Sequence, residues 1–308
     1  MAAPVRAATR KSRLARTQTE IVAALLGVDV EPVPVETSAD RHLDTPVWEL
    51  GERGAFVKQV QAAVLDGRAD IAVHSAKDLP STTPSCLVIG AVPEREDARD
   101  VLVGSPLEQI PVGGRVGTGS VRRRAQLSWL RSDLTFGDLR GDIETRLDKA
   151  DEHDAIVVAY AALRRLGRLA AVAEVVDVTV LLPQVGQGAL AVECRADDER
   201  VRELLAAIEH GPSRLAVDAE RAWLAEVGGG CDRPVAAYAT VGETRRDQGS
   251  IHLTAMVASG DGRLQVRDEE TGDEPRELGR RLARRMLDSG GAAMVLEEAS
   301  PTVVPVPG

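Results

Sequence analysis

The sequence predicts an α/β protein with two lobes, a chain that crosses between them twice, and a small C-terminal α/β domain with a three-stranded antiparallel sheet. Three observations predict this fold. Short apolar segments alternate with helical patterns from residue 5 to about 227, as mostly parallel sheets with flanking helices require. Two polar connectors, at 94–100 and 182–189, interrupt the alternation. From Pro234 onward, strand patterns are joined by turns. We therefore predict three domains: 1–95 with 189–212, 96–188, and 213–308.

The first lobe begins with a predicted strand at 5–9 and a helix at 12–26, which ends at the C-cap residue Gly27. A long loop at 37–54 is interpreted as a candidate lid, because structureless loops of this length in compact domains are usually functional. The other elements predicted for this lobe are strands at 30–36, 70–74, 86–92 and 190–193, and helices at 55–65 and 198–209.

The second lobe and the C-terminal domain follow from the same patterns. For the second lobe, strands are predicted at 101–104, 115–117, 134–136 and 155–159, and helices at 120–130, 143–151 and 161–166. For the C-terminal domain, helices are predicted at 213–227 and 275–287, and strands at 235–241, 251–258 and 264–267.

Composition excludes several classes of function. The net charge of −10 opposes binding to nucleic acid or to an anionic membrane, both of which need a basic face. No run of apolar residues approaches the roughly 18 needed to span a membrane, and the N-terminal residues lack the apolar core of a secretion signal. We therefore expect a cytoplasmic protein. Three widely spaced cysteines fit a reducing compartment, and the five histidines form no metal-binding motif.

The segment IAVHSAKDLP, residues 71–80, is the strongest local signal. Its apolar run predicts a buried strand that delivers His, Ser, Lys and Asp to the edge of a sheet, where open α/β sheets bind ligands. On an extended backbone the adjacent Lys77 and Asp78 would point to opposite sides, so only one could face a given ligand group. The alternative is a surface loop with solvated charges.

Arginines follow several predicted strands. Arg10 and Ser12 lie between a strand and a helix, and so do Thr118, Ser120, Arg122 and Arg123. Helix N-termini bind anions, so both junctions are candidate sites. Arg140, Arg146, Arg164 and Arg165 would line the same cleft if the two lobes face each other. The implied ligand carries several carboxylates or phosphates, and no nucleotide-binding motif is present. The alternative is that these arginines are solvated on the surface.

Three glycines precede Cys231 in GGGCDRP. A thiolate is a strong nucleophile, and glycines allow a ligand to approach closely, so Cys231 could form a covalent bond. Taken alone, it could equally be a small buried hydrophobic residue.

Together these segments resemble a known family. ATRKSRLA, AFVKQV, ADIAVHSAKDLP, EREDARD, GTGSVRRRAQL, LRGDIETRL, LPQVGQGA and GGGCDRPV are similar, in order and spacing, to the motifs of the porphobilinogen deaminase (hydroxymethylbilane synthase) family. The resemblance covers about residues 5–240 and is weaker beyond. The two crossings resemble the architecture of type II periplasmic binding proteins, whose lobes close over a ligand.

The resemblance implies a monomeric transferase that joins porphobilinogen units on a dipyrromethane cofactor, which a thioether attaches to Cys231. It implies that Asp78 is the catalytic carboxylate and also contacts the cofactor. The other implied cofactor-binding residues are Lys77, Thr118, Ser120, Arg122, Arg123 and Arg165. The implied substrate-binding residues are Arg10, Ser12, Gln18, Phe56, Arg140 and Arg146.

Three positions depart from the family motifs: Gly119 replaces a serine, Asp142 replaces an asparagine, and Arg53 replaces a lysine of the predicted lid. Two other functions stay open on residue patterns alone. One is a non-catalytic two-lobe anion-binding module, which does not explain Cys231. The other is an enzyme in which Lys77 forms a Schiff base.

Overall fold

The computed structural model describes residues 3–36, 57–228, 230, 233–242, 244 and 247–298. Within these ranges the chain forms two five-stranded sheets and one three-stranded sheet, with helices packed against them. The predicted α/β fold class is therefore confirmed. None of the helices in the described ranges has both the length and the apolar character needed to cross a membrane.

The first sheet has the strand order β2-β1-β3-β10-β4. Its strands are β1 (Val5–Arg10), β2 (Val30–Val35), β3 (Ile71–Ser75), β4 (Leu87–Ala91) and β10 (Leu190–Arg195). Its helices are α1 (Arg13–Leu26), α2 (Lys58–Leu65) and α6 (Glu199–Ala206). Strand β1 is parallel to β2 and β3, whereas β10 runs antiparallel to β3 and β4. Because β3 is central, its first four residues are buried, as its apolar run predicts.

The second sheet has the order β7-β6-β8-β5-β9. Its strands are β5 (Asp100–Gly104), β6 (Arg115–Gly117), β7 (Thr135–Gly137), β8 (Ala155–Ala159) and β9 (Val172–Val175). Its helices are α3 (Val121–Leu130), α4 (Ile143–Asp148) and α5 (Tyr160–Arg165). The sequence analysis did not predict β9, a partly exposed edge strand of four residues in which Glu174 interrupts the apolar run.

The C-terminal unit packs a three-stranded antiparallel sheet against helices. Its elements are α7 (Gly211–Val227), β11 (Val235–Val241), β12 (Ile251–Ala258), β13 (Gln265–Gly272), α8 (Pro275–Asp288) and α9 (Ala292–Glu298). Trp223 is fully buried in its core. Strand β13 is longer than predicted, because its second half is mostly polar and lies at a sheet edge. Helix α9 was not predicted.

The two crossings meet the C-terminal unit at a buried polar junction. Glu220 of α7 is fully buried and accepts hydrogen bonds from Arg95 Nη1 at 2.6 Å and from the backbone N–H of Gly186 at 2.7 Å. Arg95 lies in the first crossing, and its Nε donates to the carbonyl of Gln187 in the second crossing at 2.8 Å. A buried charge needs such partners, so this junction ties the crossings to α7. The predicted domain bounds remain an interpretation.

Candidate active site

Strand β3 ends in a polar turn at the edge of the first sheet. Residues Ala76–Asp78 form a 3₁₀ turn, so the expectation of an extended backbone through Lys77 and Asp78 is wrong. A 3₁₀ turn has about three residues per turn, which separates neighbouring side chains by roughly 120° rather than 180°. Lys77 and Asp78 can therefore face the same cleft.

Lys77 is surrounded by charges from both lobes. Burial lowers its pKa to about 8, and the nearby Asp78 carboxylate opposes this effect. Arg123 and Arg146 lower the pKa of Lys77 further, while Asp100 raises it. The backbone carbonyl of Lys77 also accepts a hydrogen bond from Gln184 Nε2 at 3.2 Å, so the turn after β3 contacts the second connector.

A cavity brings four of the predicted site residues together. Arg10, Ser12, Gln18 and Asp78 line it, together with His74. Ser12 is the N-cap of α1 and accepts a hydrogen bond from the backbone N–H of Ala15, while Gln18 Nε2 donates to Ser75 Oγ at 2.8 Å. The predicted substrate-binding residues of α1 therefore lie next to the predicted catalytic carboxylate.

Two polar residues near this cavity, Glu193 and Gln61, were not singled out in the sequence. Glu193 of β10 is fully buried, and its Oε2 lies 3.1 Å from His74 Nε2 and accepts a hydrogen bond from Gln61 Nε2 at 2.9 Å. The available signal was a single acidic residue within the apolar strand at 190–195. These contacts place a buried acidic side chain beside the histidine that precedes the turn at Ala76–Asp78.

In the second lobe, the first turn of α3 carries the paired arginines. Ser120 is the N-cap and accepts from the backbone N–H of Arg123, and its own N–H donates to Thr118 Oγ1 at 3.2 Å. Arg122 and Arg123 are only 3% and 5% exposed. The predicted junction between a strand and the N-terminus of a helix is therefore present, but its two arginines are buried.

Both arginines donate hydrogen bonds to the carboxylate of Asp100. This fully buried carboxylate accepts from Arg122 Nη2 and Arg123 Nη2, each at 2.7 Å, and from Gln187 Nε2 at 2.8 Å. Arg122 Nη1 and Arg123 Nη1 donate to backbone carbonyls of Leu182 and Val157. Burial alone would raise the pKa of Asp100, but the two guanidinium groups outweigh it and hold that pKa well below its usual range. Sequence analysis did not single out Asp100.

Three further predicted arginines lie around the same cleft. Burial lowers the pKa of Arg146 to about 10, with Arg123 and Arg140 adding to this effect and Asp78 opposing it. Burial also lowers the pKa of Arg165 to about 10, and its Nη2 donates to the carbonyl of Gly188 at 2.7 Å. Arg140 Nε donates to Asp138 Oδ2 at 2.9 Å. Arg164, by contrast, pairs with Glu96 on an exposed surface.

The arrangement suits an acidic ligand. Lys77, Arg146 and Arg165 are partly buried cations whose pKa values burial lowers, and a carboxylate placed beside them would offset that cost. The Asp78 carboxylate lies close to Lys77 and Arg146 and could stabilise a positive charge that develops on the ligand. These donors fit the acid groups of the predicted dipyrromethane. Within the described ranges, no group of three or more His, Cys, Asp or Glu side chains could hold a metal.

Three positions of interest lie outside the described residues: Cys231, Phe56 and Arg53. Asp142, one of the three departures from the family motifs, is the N-cap of α4 and accepts from the backbone N–H of Thr145 at 2.9 Å. An asparagine side-chain oxygen could cap the helix equally well, so the replacement changes the charge but need not change the fold.

Comparison with known proteins gives consistent results. Residues 5–203 match the family model described as porphobilinogen deaminase, dipyromethane cofactor binding domain, and residues 214–288 match the porphobilinogen deaminase C-terminal domain. The porphobilinogen deaminase of Moorella thermoacetica is 45% identical over 306 residues, which cover 96% of each chain. That of Brevibacillus brevis is 43% identical over 299 residues, which cover 94% of this chain and 96% of that protein.

Among solved structures, the periplasmic VFT2 domain of Bordetella pertussis BvgS is 18% identical, with a TM-score of 0.39. The alignment covers 66% of this chain and 86% of that one. A periplasmic amino-acid-binding protein of the His/Glu/Gln/Arg/opine family from Silicibacter pomeroyi, in complex with lysine, is 14% identical with a TM-score of 0.37 and covers 66% and 88%.

Proposed function

Since this chain belongs to the porphobilinogen deaminase family, we propose that it joins four porphobilinogen molecules head to tail on a dipyrromethane primer attached to Cys231. Hydrolysis then releases the linear tetrapyrrole hydroxymethylbilane, a precursor in tetrapyrrole and haem biosynthesis. The family assignment supports this catalytic function over a non-catalytic anion-binding module. In keeping with the sequence analysis, we propose that the enzyme acts as a monomer.

One observation carries the assignment of the site: Asp78 lies in a cleft whose other charged groups are mainly cations. Arg10 lines the same cavity as Asp78, and the Asp78 carboxylate raises the pKa of both Lys77 and Arg146. The substrate carries an acetate and a propionate on a pyrrole ring. The cations suit these acid groups, and the Asp78 carboxylate suits the ring that reacts.

Asp78 would act where positive charge develops. When the protonated amino group of the aminomethyl side chain leaves as ammonia, its C–N bond breaks, the methylene carbon stays on the ring and the pyrrole becomes cationic. A carboxylate beside the ring N–H lowers the energy of this cation more than that of the neutral pyrrole, which is what acceleration requires. After the new C–C bond forms, the α-carbon must lose a proton, and Asp78 could help to remove it.

The remaining residues would bind and orient acid groups. Arg10, Ser12 and Gln18 lie at the start of α1 and would hold the incoming porphobilinogen. Arg140 and Arg146 would hold the growing chain. Lys77, Thr118, Ser120, Arg122, Arg123 and Arg165 would hold the primer, which supplies the free pyrrole α-carbon for the first coupling. Because Asp100 already engages Arg122 and Arg123, primer carboxylates would share these guanidinium groups with an internal anion.

Mass spectrometry of the intact purified protein tests the attachment. We expect the wild-type protein to be heavier than its sequence by two pyrrole units and the Cys231→Ser variant to show its sequence mass. The control is Cys86→Ser, which changes an exposed thiol and should retain the adduct. An unmodified wild-type mass after folding with porphobilinogen would contradict the proposal.

A further inference from the structure

The turn before α3 and the turn before α4 pack directly against each other at Gly119. A Cβ atom built on Gly119 would lie 2.9 Å from the carbonyl oxygen of Leu139. It would also lie 3.6 Å from Cζ and 3.7 Å from Nε of Arg140. The missing side chain at position 119 is therefore what allows the Leu139 carbonyl to come this close, and the Arg140 guanidinium lies next to the space that a Cβ would fill.

Backbone conformation does not explain the glycine. Gly119 is not among the described glycines with positive φ, so another residue could adopt its backbone angles. The contact with Leu139 is the constraint, because a Cβ that close to a backbone oxygen forces one of the two turns to shift.

Hydrogen bonds hold the two turns in this arrangement. The Thr118 backbone N–H donates to the carbonyl of Gly137 at 3.0 Å. Arg124 Nη2 donates to the carbonyl of Thr118 at 3.0 Å and to Asp138 Oδ1 at 3.4 Å. The same Asp138 carboxylate orients Arg140 through its Nε. Arg140 is thus held between Asp138 and the face of Gly119.

The cations of both turns act on one region of the cleft. Arg123, from the helix after the first turn, and Arg140, from the second turn, both lower the pKa of Arg146, while Asp78 raises it. Four charged groups from three segments of the chain are therefore within electrostatic reach of one another. An acid group bound here would relieve the repulsion among the cations.

We propose that Gly119 is a positioning residue, which lets Arg140 lie against the turn of Ser120 so that both turns hold the same carboxylate of the growing pyrrole chain. This inference rests on the proposed function, because it assigns Arg140 to that chain. It predicts that position 119 controls how tightly acidic substrate binds, whereas the covalent attachment of the primer at Cys231 does not depend on it.

Gly119→Ala and Gly119→Ser test the proposal. Each should displace Leu139 and Arg140 by a few tenths of an ångström and raise KM for porphobilinogen by roughly three- to tenfold, with a smaller change in kcat and an unchanged adduct mass. The matched control is Gly260→Ala, at an exposed turn where a Cβ would meet nothing within 4 Å and φ is not positive. Its KM should equal that of the wild type.

Two further measurements separate positioning from a general structural effect. In an Arg140→Ala background, Gly119→Ser should raise KM no further, because the guanidinium whose position depends on the Leu139 shift is already gone. Amide hydrogen exchange of the peptide covering residues 137–142 should speed up in both Gly119 variants, and this result does not depend on activity.

An unchanged KM in Gly119→Ser, or an equal rise in KM with and without Arg140, would overturn the inference and leave the proposed function standing. A wild-type protein that neither carries the adduct nor consumes porphobilinogen would overturn both.

Discussion

The edges of the two lobe sheets carry the same kind of sequence pattern, but they differ in how their arginines are buried and in the carboxylate that lies beside them. In the first lobe, Arg10 and Ser12 at the start of α1 line a cavity beside Asp78. In the second lobe, Arg122 and Arg123 at the start of α3 are buried and share the carboxylate of Asp100. A strand followed by a helix with arginines therefore predicts an anion site in both places. The structure places an internal anion at one of them.

The difference follows from burial. Two adjacent guanidinium groups at 3% and 5% exposure are costly without a counter-charge, and Asp100 provides it. Arg10 and Lys77 of the first lobe edge are only partly buried, Arg10 lines the cavity, and the Asp78 carboxylate lies close to Lys77. We infer that the ion pairs at the second lobe edge mainly stabilise the fold, and that the cations at the first lobe edge bind the acid groups of the substrate.

The sharpest test of this comparison is Asp78→Asn. The substitution keeps size and removes the charge, so the developing cation loses its stabilising partner, and we expect kcat to fall on the order of 10²- to 10³-fold. The adduct at Cys231 should be retained. Initial rates of porphobilinogen consumption, together with the intact mass, check this result. Turnover like that of the wild type would remove Asp78 from its role.

Asp100→Asn tests the second lobe edge. Removing one partner of a buried ion pair leaves uncompensated charge, here on two arginines, and we expect the free energy of unfolding to fall by about 3 kcal/mol. Denaturant titration measures the loss. The matched control is Asp133→Asn, which breaks the more exposed pair with Arg131 and should cost less than about 1 kcal/mol. Equal losses in the two variants would refute the idea of an internal counter-ion.

Local patterns predicted most of the fold, since β3 begins with three apolar residues, β8 is apolar throughout, and helices such as α1 begin at a capping residue. The failures have specific causes. Strand β9 has only four residues, and Glu174 interrupts its apolar run. The 3₁₀ turn at Ala76–Asp78 depends on hydrogen bonds made within the folded loop, including one from the N–H of Leu79 to the carbonyl of Ala76.

The site was predicted by residue type better than by environment. Motifs identified Asp78, Arg122 and Arg123, but nothing local shows that Asp100, 22 residues before Arg122, neutralises the arginines. The contact of Gly119 with Leu139 is likewise visible only once the two turns are packed together. Long-range packing, which pattern analysis does not address, decides both features.

Lys77 gives the smallest expected effect and links the two lobe edges. Burial lowers its pKa to about 8 from the ordinary 10.5, so between these pH values Lys77 is neutral when folded and charged when unfolded. The cost of burying the charge is fully present below about pH 8 and disappears as the pH rises towards 10.5. Above pH 8 the folded protein also loses a cation that could hold a ligand carboxylate.

We therefore expect Lys77 in the Cys231→Ser variant, which lacks the primer, to titrate near pH 8, and its pKa to rise in the adduct-bearing protein, because a bound carboxylate favours the charged amine. Nitrogen NMR of the side-chain amines can follow this, and the chain has only four lysines to assign. Lys77→Arg keeps its charge at high pH, so adding this substitution to the Cys231→Ser protein should remove the titration near pH 8. If the Lys77 amine of the primer-free protein titrates near pH 10.5, the amine is solvated. Lys77 would then not belong to the group of partly buried cations at the two lobe edges.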